Sequence, residues 1–217
     1  MSDGATMSSF SGRWAKKIVE STKRFRNPKP DSDTDPFAAK LKNKLKEAAT
    51  NWKQELPKDL PWYAQEKAEK GAFASLLWFR LDKKANKAYA VAIGDTNLFH
   101  FRGQEKIKAW PMEKFGDFNN HPILIPSKIE ELENFKVPSP FSKEYSWEKG
   151  DVFLLATDAL AAYILHQYET KPDDFSKALS ELINLNSSGE FVDVVTRLRM
   201  EELMKNDDTT MIVIQTD

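Results

Sequence analysis

Between Ala72 and Gly103 the chain changes character. A lysine-rich, helix-forming stretch gives way to AFASLLWFRLD, KAYAVAIGD and NLFHFRG. These three runs are dominated by aliphatic and aromatic residues and bounded by turn formers, which predicts consecutive antiparallel strands. Ala85-Asn86-Lys87 provides a hairpin turn between the first two, and Asp95-Thr96-Asn97 separates the second from the third.

The flanking sequence sets what the strands pack against. FSGRWAKKIVESTKRF places Trp14, Ile18 and Val19 on one face of a helix with lysines opposite. NPKPDSDTDP (27–36) holds three prolines among Asp and Ser turn formers and is read as an internal linker loop. Asp35 then caps a second helix with Pro36 at its first position. Leu41, Leu45, Ala48, Ala49 and Trp52 recur there at helical spacing, and WYAQEKAEKGAF is a short third helix. The stretch 103–148 is predicted as loop, with KIKAWPM a further strand. GDVFLLATD is a buried strand, and ALAAYILHQYE, DDFSKALSELINL and GEFVDVVTRLRMEELM are helices. TTMIVIQTD closes the chain as a strand. Helices, strands, helices, strand is an α+β order: a sheet sandwich with helices outside it rather than a βαβ repeat. The 217 residues are read as a single domain.

Composition removes several classes of function. A formal net charge of -1 gives no global pull toward nucleic acid or anionic membrane, so neither is expected as a partner. The absence of cysteine excludes disulfides, cysteine-ligated zinc and thiolate nucleophiles, including those of the cysteine-dependent phosphatases, and is compatible with a cytoplasmic location. The longest apolar stretch, VFLLATDALAAYIL (152–165), is broken by Asp158 and too short to span a bilayer. DSDTD (31–35) resembles a phosphoaspartate motif but follows prolines rather than a strand. As a calcium loop it has Pro36 and Lys42 where glycine and glutamate are needed. The basic face of KKIVESTKRFR reads as a solvated helix exterior. His100, His121 and His166 show no ligand spacing and are assigned structural roles.

What remains is a set of carboxylates at strand ends. Asp3 precedes Gly4, Asp95 ends AYAVAIGD, Asp158 ends DVFLLATD, and Asp207 and Asp208 stand just before the last strand. One such residue alone is usually a turn former. Several brought together repel unless a cation lies between them. Oxygen-only ligands suit Mg2+ or Mn2+, and paired ions of that kind activate water against phosphoryl groups. Residue types alone lead as far as a metal-assisted hydrolase.

The same segments, in order, resemble motifs of the metal-dependent serine/threonine protein phosphatases (the PPM, or type 2C, family) in a bacterial-like form. SDGATMSSFSGRWA is similar to the Asp-Gly motif leading into the first helix. GAFASLLWFRLD with AYAVAIGDTNLFHFR is similar to the Gly-Thr hairpin and Gly-Asp-Ser-Arg strand. GDVFLLATDAL resembles the Gly-Asp-x-hydrophobic-Thr-Asp-Gly-Leu motif, and NDDTTMIVI the Asp-Asn-x-Thr strand. The resemblance implies an antiparallel β-sandwich flanked by helices in four αββα layers, with two Mg2+ or Mn2+ ions. It implies hydrolysis of protein phosphoserine and phosphothreonine by metal-activated water. Asp3 would bridge the metals, Gly4 would offer its carbonyl, and Asp158 and Asp207 would ligate the second ion. Asp3, Asp158 and Asp207 would thus act through the metals, and Asp95 matches the position of a third, weaker ion.

Against the family pattern the chain reads as N-terminally truncated. The strand pair that supplies an acidic ligand for the first metal, and often a phosphate-binding arginine, has no counterpart before Asp3, so the first-metal site is incomplete. Ala159 replaces the glycine after Asp158, Asp95-Thr96-Asn97 lacks the motif's arginine, and Ala5 stands where some members carry a histidine. The expected partner is a phosphoprotein substrate. The alternative is a catalytically inactive phosphatase-like module that binds a partner protein, and a third reading is an unrelated sandwich whose acidic strand ends are ordinary turns.

Overall fold

The structure, a computed structural model, describes residues 1–5, 8–25, 36–103, 106–118 and 121–217, and only the backbone at 106 and 107. The linker read at 27–36, with the Asp35 cap and the DSDTD stretch, therefore lies outside the described residues except for Pro36. Along the chain run α1 (Ser11–Thr22), α2 (Pro36–Gln54), α3 (Trp62–Glu69), β1 (Phe73–Ala74), β2 (Leu76–Asp82), β3 (Lys87–Ile93), β4 (Asn97–Arg102) and β5 (Lys106–Trp110). A 3-10 turn at Phe115–Asp117 precedes β6 (Ile125–Pro126), α4 (Ile129–Asn134), β7 (Ser142–Ser146) and β8 (Val152–Ala156). Then come α5 (Asp158–Thr170), α6 (Pro172–Ile183), α7 (Ser188–Met200) and β9 (Met211–Gln215). The result is a mixed α+β protein with antiparallel sheets and, among the described residues, seven α-helices. Among the described residues no helix is long and apolar enough to cross a membrane. The chain divides into two compact units: Met1–Gly94 with Ile123–Ser146, and Asp95–Pro122 with Trp147–Asp217.

In the first unit a three-stranded sheet has the order β2-β3-β7, and β1 pairs with β6. The β2–β3 hairpin forms as its sequence predicts, in register from Leu76↔Ile93 to Asp82↔Lys87. Asp82 Oδ1 accepts the turn amides of Lys84 (3.0 Å) and Ala85 (3.2 Å). Asn86 takes the left-handed φ of 50° that asparagine tolerates. One face of the sheet, with Leu76, Trp78, Val91 and Ile93, joins the apolar faces of α1 and α2 in a single core. Ile18, Leu41 and Leu45 are fully buried there, each contributing about 1.5–3 kcal/mol. Trp14 meets Trp52 edge to face at 6.3 Å and donates its indole N–H to the Ile125 carbonyl at 2.8 Å.

Asp3-Gly4 is not a turn. Residues 1–5 run extended and antiparallel to 73–77, through Ala5 N–H to Phe73 O (2.9 Å), Ser75 N–H to Asp3 O (2.8 Å) and Leu77 N–H to Met1 O (2.9 Å). Gly4 is bridged to Ala74. A Cβ at Gly4 would stand 2.7 Å from the Ser11 carbonyl carbon and 2.9 Å from Gly12 N, so only glycine lets α1 start against this segment.

In the second unit the sheet order is β5-β4-β8-β9, antiparallel throughout. Phe99, Phe101, Ala109, Leu154 and Ala156 form its helix-facing side, packed with Leu160, Ile164, Phe175, Leu179, Val195 and Leu198 of α5, α6 and α7. The opposite side, with Leu98, Trp110, Phe153 and Leu155, is buried as well.

Two sequence expectations need correction. β3 and β4 do not pair: β3 lies between β2 and β7, and β4 between β5 and β8. Gly94 turns the chain at φ 100°, where a Cβ would fall 2.7 Å from that of Ser75, so this turn redirects the backbone instead of closing a hairpin. The stretch 103–148 also holds more than the one strand expected of it. β7, SKEYS, was hidden because it is an edge strand carrying charges: Glu144 pairs with Lys87 at 2.7 Å, and Tyr145 is its one large apolar residue.

Candidate functional site

Register alone gathers three carboxylates at one end of the four-stranded sheet. Ala156, the last residue of β8, lies opposite Asn97 at the start of β4 and Met211 at the start of β9. The residues just beyond those positions are Asp158, Asp95 and the 205–210 loop that carries Asp207. Each strand ends for a local reason. β8 runs into Thr157 and α5, while Asn97 clamps the start of β4 by exchanging side-chain bonds with the Met112 backbone at 2.9 and 3.0 Å.

Thr157 ties the loop to the strand. Its Oγ1 accepts the Thr210 N–H at 3.0 Å and donates to the Asp208 carbonyl at 3.1 Å, and its own N–H donates to Thr210 O at 3.2 Å. From the other side Arg199 of α7 donates to the Asp207 carbonyl and, at 2.9 Å, to Thr209 Oγ1. Asp158 opens α5, its Oδ1 held by the Ala159 N–H at 2.7 Å. Thr157→Val keeps the shape and removes two hydrogen bonds. We expect it to cost about 1–3 kcal/mol in chemical denaturation, with Thr157→Ser recovering most of the loss.

The carboxyls sense one another. Burial, then the charge of Asp158, pushes Asp95 up to about 6. Burial likewise raises Asp158, its largest cause, with Asp207 adding to it. Because the folded value of Asp95 exceeds the unfolded one, its stabilising contribution is full below about pH 4 and is lost as pH rises through about 6. One cation stands among them: Lys205 Nζ lies 2.8 Å from Asp207 Oδ2 and 3.8 Å from Asp158 Oδ2. The hydrogen bond to Asp207 is the main reason its pKa is raised.

Of the residues singled out from the sequence, Asp95, Asp158 and Asp207 are thus brought together in the second unit, whereas Asp3 and Gly4 belong to the first. Asp3 is engaged by Ser75, whose Oγ accepts its N–H at 3.0 Å. Asp208 is exposed. Hard carboxylate oxygens suit Mg2+ or Mn2+ chemically. Yet among the described residues no three acidic or histidine side chains stand grouped to hold a metal, and an ammonium lies between two of the carboxylates instead. Sequence reasoning missed Lys205, Thr157 and Arg199. The signal for the lysine was its place two residues before Asp207. Arg199 offered none, because its target is a backbone carbonyl.

The opposite end of the sheet carries a second charged cluster. Asp151, with its side chain 1% exposed, accepts from Arg102 Nε (2.9 Å) and Nη2 (2.8 Å) and from the Glu148 amide (2.9 Å), and pairs with His100 Nε2 at 2.8 Å. His100 stacks on Phe153 at 4.4 Å, a structural role for that histidine.

No family model and no curated protein sequence matches the chain. Solved structures do. PppA, a key regulatory component of T6SS in Pseudomonas aeruginosa, aligns with 100% of this chain and 84% of its own at a TM-score of 0.56 and 17% identity. The Mycobacterium tuberculosis serine/threonine phosphatase PstP/Ppp aligns over 100% and 86% respectively, at 0.56 and 14% identity. The catalytic domain of PstP in complex with two manganese ions aligns over 99% and 85%, at 0.52 and 16% identity. The chain has the fold of the PPM-type serine/threonine phosphatases.

Proposed function

We propose that the protein is a phosphoester hydrolase of the metal-dependent type, acting on phosphoserine or phosphothreonine in a protein substrate in the cytoplasm. The observation that supports this reading is that Asp95, Asp158 and Asp207, the residues the resemblance names as metal ligands, lie at the same end of the four-stranded sheet. Asp158 and Asp207 would hold a Mg2+ or Mn2+ ion, with Asp95 reserved for a weaker one. Such an ion, when bound, polarises a phosphoryl oxygen and lowers the pKa of water. The protein's own part is positional. Thr157 and Arg199 hold the backbone on either side of Asp207. The Ala159 amide, at the positive end of α5, favours ionised Asp158 and fixes one of its oxygens.

The ion pair of Lys205 with Asp207 favours a second reading, a silent phosphatase-like module that binds a partner protein. Hydrolysis of p-nitrophenyl phosphate and of phosphoserine and phosphothreonine peptides, titrated with Mn2+ and Mg2+, separates the two. Saturable, chelator-sensitive turnover is expected. Metal binding without turnover on any of these substrates would move the protein to the second reading.

A further inference from the structure

Three carboxylates with one ammonium among them pose a competition that neither reading above resolves. We propose that Lys205 is a tethered counter-ion of the Asp158–Asp207 pair, and that a divalent cation binds there only by displacing its ammonium. This inference rests on the metal-dependent reading of the site.

The geometry is specific. The ammonium is in hydrogen-bond contact with Asp207 Oδ2 at 2.8 Å and within ion-pair reach of Asp158 Oδ2 at 3.8 Å, so it bridges the two side chains proposed as ligands of one ion. It comes from the same loop as Asp207, whose N–H donates to the Lys205 carbonyl at 3.1 Å. The loop that positions the carboxylate therefore also delivers the cation. Arg199, another cation at the loop, donates to the Asp207 carbonyl and to Thr209 Oγ1, so its hydrogen bonds steady the backbone that carries the lysine's partner. At 64% exposure the Lys205 side chain is anchored by its head group and can swing into solvent without disturbing the core.

The charges explain both halves of the role. Without a metal, Asp158 and Asp207 repel each other, and a single positive charge from Lys205 offsets part of that repulsion. A divalent ion brings twice the charge and takes six or more oxygens where an ammonium offers three hydrogens, so it can win the contest. It does so at reduced apparent affinity, because the lysine ion pair must break first. The protein would then stay folded when metal is scarce and load only above a threshold set by this side chain.

Lys205→Met keeps the length and removes the charge, and Lys205→Arg keeps the charge. Calorimetry with Mn2+ at neutral pH should show Lys205→Met binding about fivefold more tightly than the parent, the effect of losing one partly exposed ion pair, and Lys205→Arg staying near the parent. In chelator the methionine variant should melt below the parent, and Mn2+ should raise its midpoint further than it raises the parent's. Equal Mn2+ affinity in parent and methionine variant overturns the counter-ion role and leaves the metal-dependent reading standing. Weaker binding by the methionine variant also overturns it, making Lys205 a support of the site. Absence of Mn2+ binding in all three proteins overturns the metal-dependent reading and this inference with it.

Discussion

Asp151→Asn should lower the thermal midpoint by about 4–8 °C at neutral pH, read by calorimetry or circular dichroism. Burial by itself would push the Asp151 carboxyl up. The bonds from Arg102, the Glu148 amide and His100 outweigh it and hold the pKa at about 2, against an ordinary 3.8. That difference is worth about 2 kcal/mol once the carboxylate is ionised in both states. A carboxyl depressed in the folded state stabilises above the unfolded value, so the contribution is whole above about pH 4 and fades as pH falls through about 2. Burial also lowers His100, so the folded protein resists protonating it, and stability declines as pH drops below the ordinary 6.5. A neutral His100 must donate Nε2–H to ionised Asp151. In the asparagine variant the stability loss between about pH 4 and 2 should flatten. An unchanged midpoint together with an unchanged acid limb would show that the network contributes nothing.

Asp158→Asn should behave in the opposite way. It leaves the fold intact and reduces Mn2+-dependent turnover by about a hundredfold or more, since it removes a charge from the proposed ligand pair. Asparagine can still accept the Ala159 amide bond, so the opening of α5 survives. The charge of Asp158 is one of the causes that hold Asp95 at about 6, and its removal should let Asp95 titrate at lower pH, visible in carbon-detected NMR of the metal-free protein. Because the unfavourable interaction with Asp95 also goes, the metal-free midpoint should hold or rise slightly. Full activity in Asp158→Asn would sink the metal-ligand assignment. A collapse of the fold would show instead that this residue serves chiefly to start the helix.

Much of this is legible in the amino-acid sequence. The helical spacing of Leu41, Leu45, Ala48, Ala49 and Trp52 predicts the buried face of α2, and the apolar run ending in Thr157-Asp158 predicts a buried strand passing into a helix. The clustering of Asp95, Asp158 and Asp207 follows from strand ends. The change of sheet after β3 was not legible, because a Gly-Asp turn reads alike whether it closes a hairpin or redirects the chain. β7 escaped notice because burial at an edge strand demands few apolar residues. The pairing of residues 1–5 with 73–77 left no trace in composition, since backbone hydrogen bonds are indifferent to side chains. Asp3 and Gly4 show the limit of motif reasoning most clearly. A glycine expected to lend a carbonyl has an independent reason to be there, the closeness of Ser11 and Gly12.

Asp151 and Asp158 lie just outside the two ends of β8, a strand of five residues that spans about 17 Å. A strand of that length with hydrogen-bonded neighbours on both sides behaves as a ruler. The Asp151 end is pinned by Arg102 and His100, and Thr216 Oγ1 donates to its carbonyl at 3.0 Å. Sliding by a single residue would carry Leu154 and Ala156 to the opposite face and shift Asp158 away from Asp207. The pinned end therefore sets the calibration of the other, and loosening it would blur the spacing of carboxylates it never touches.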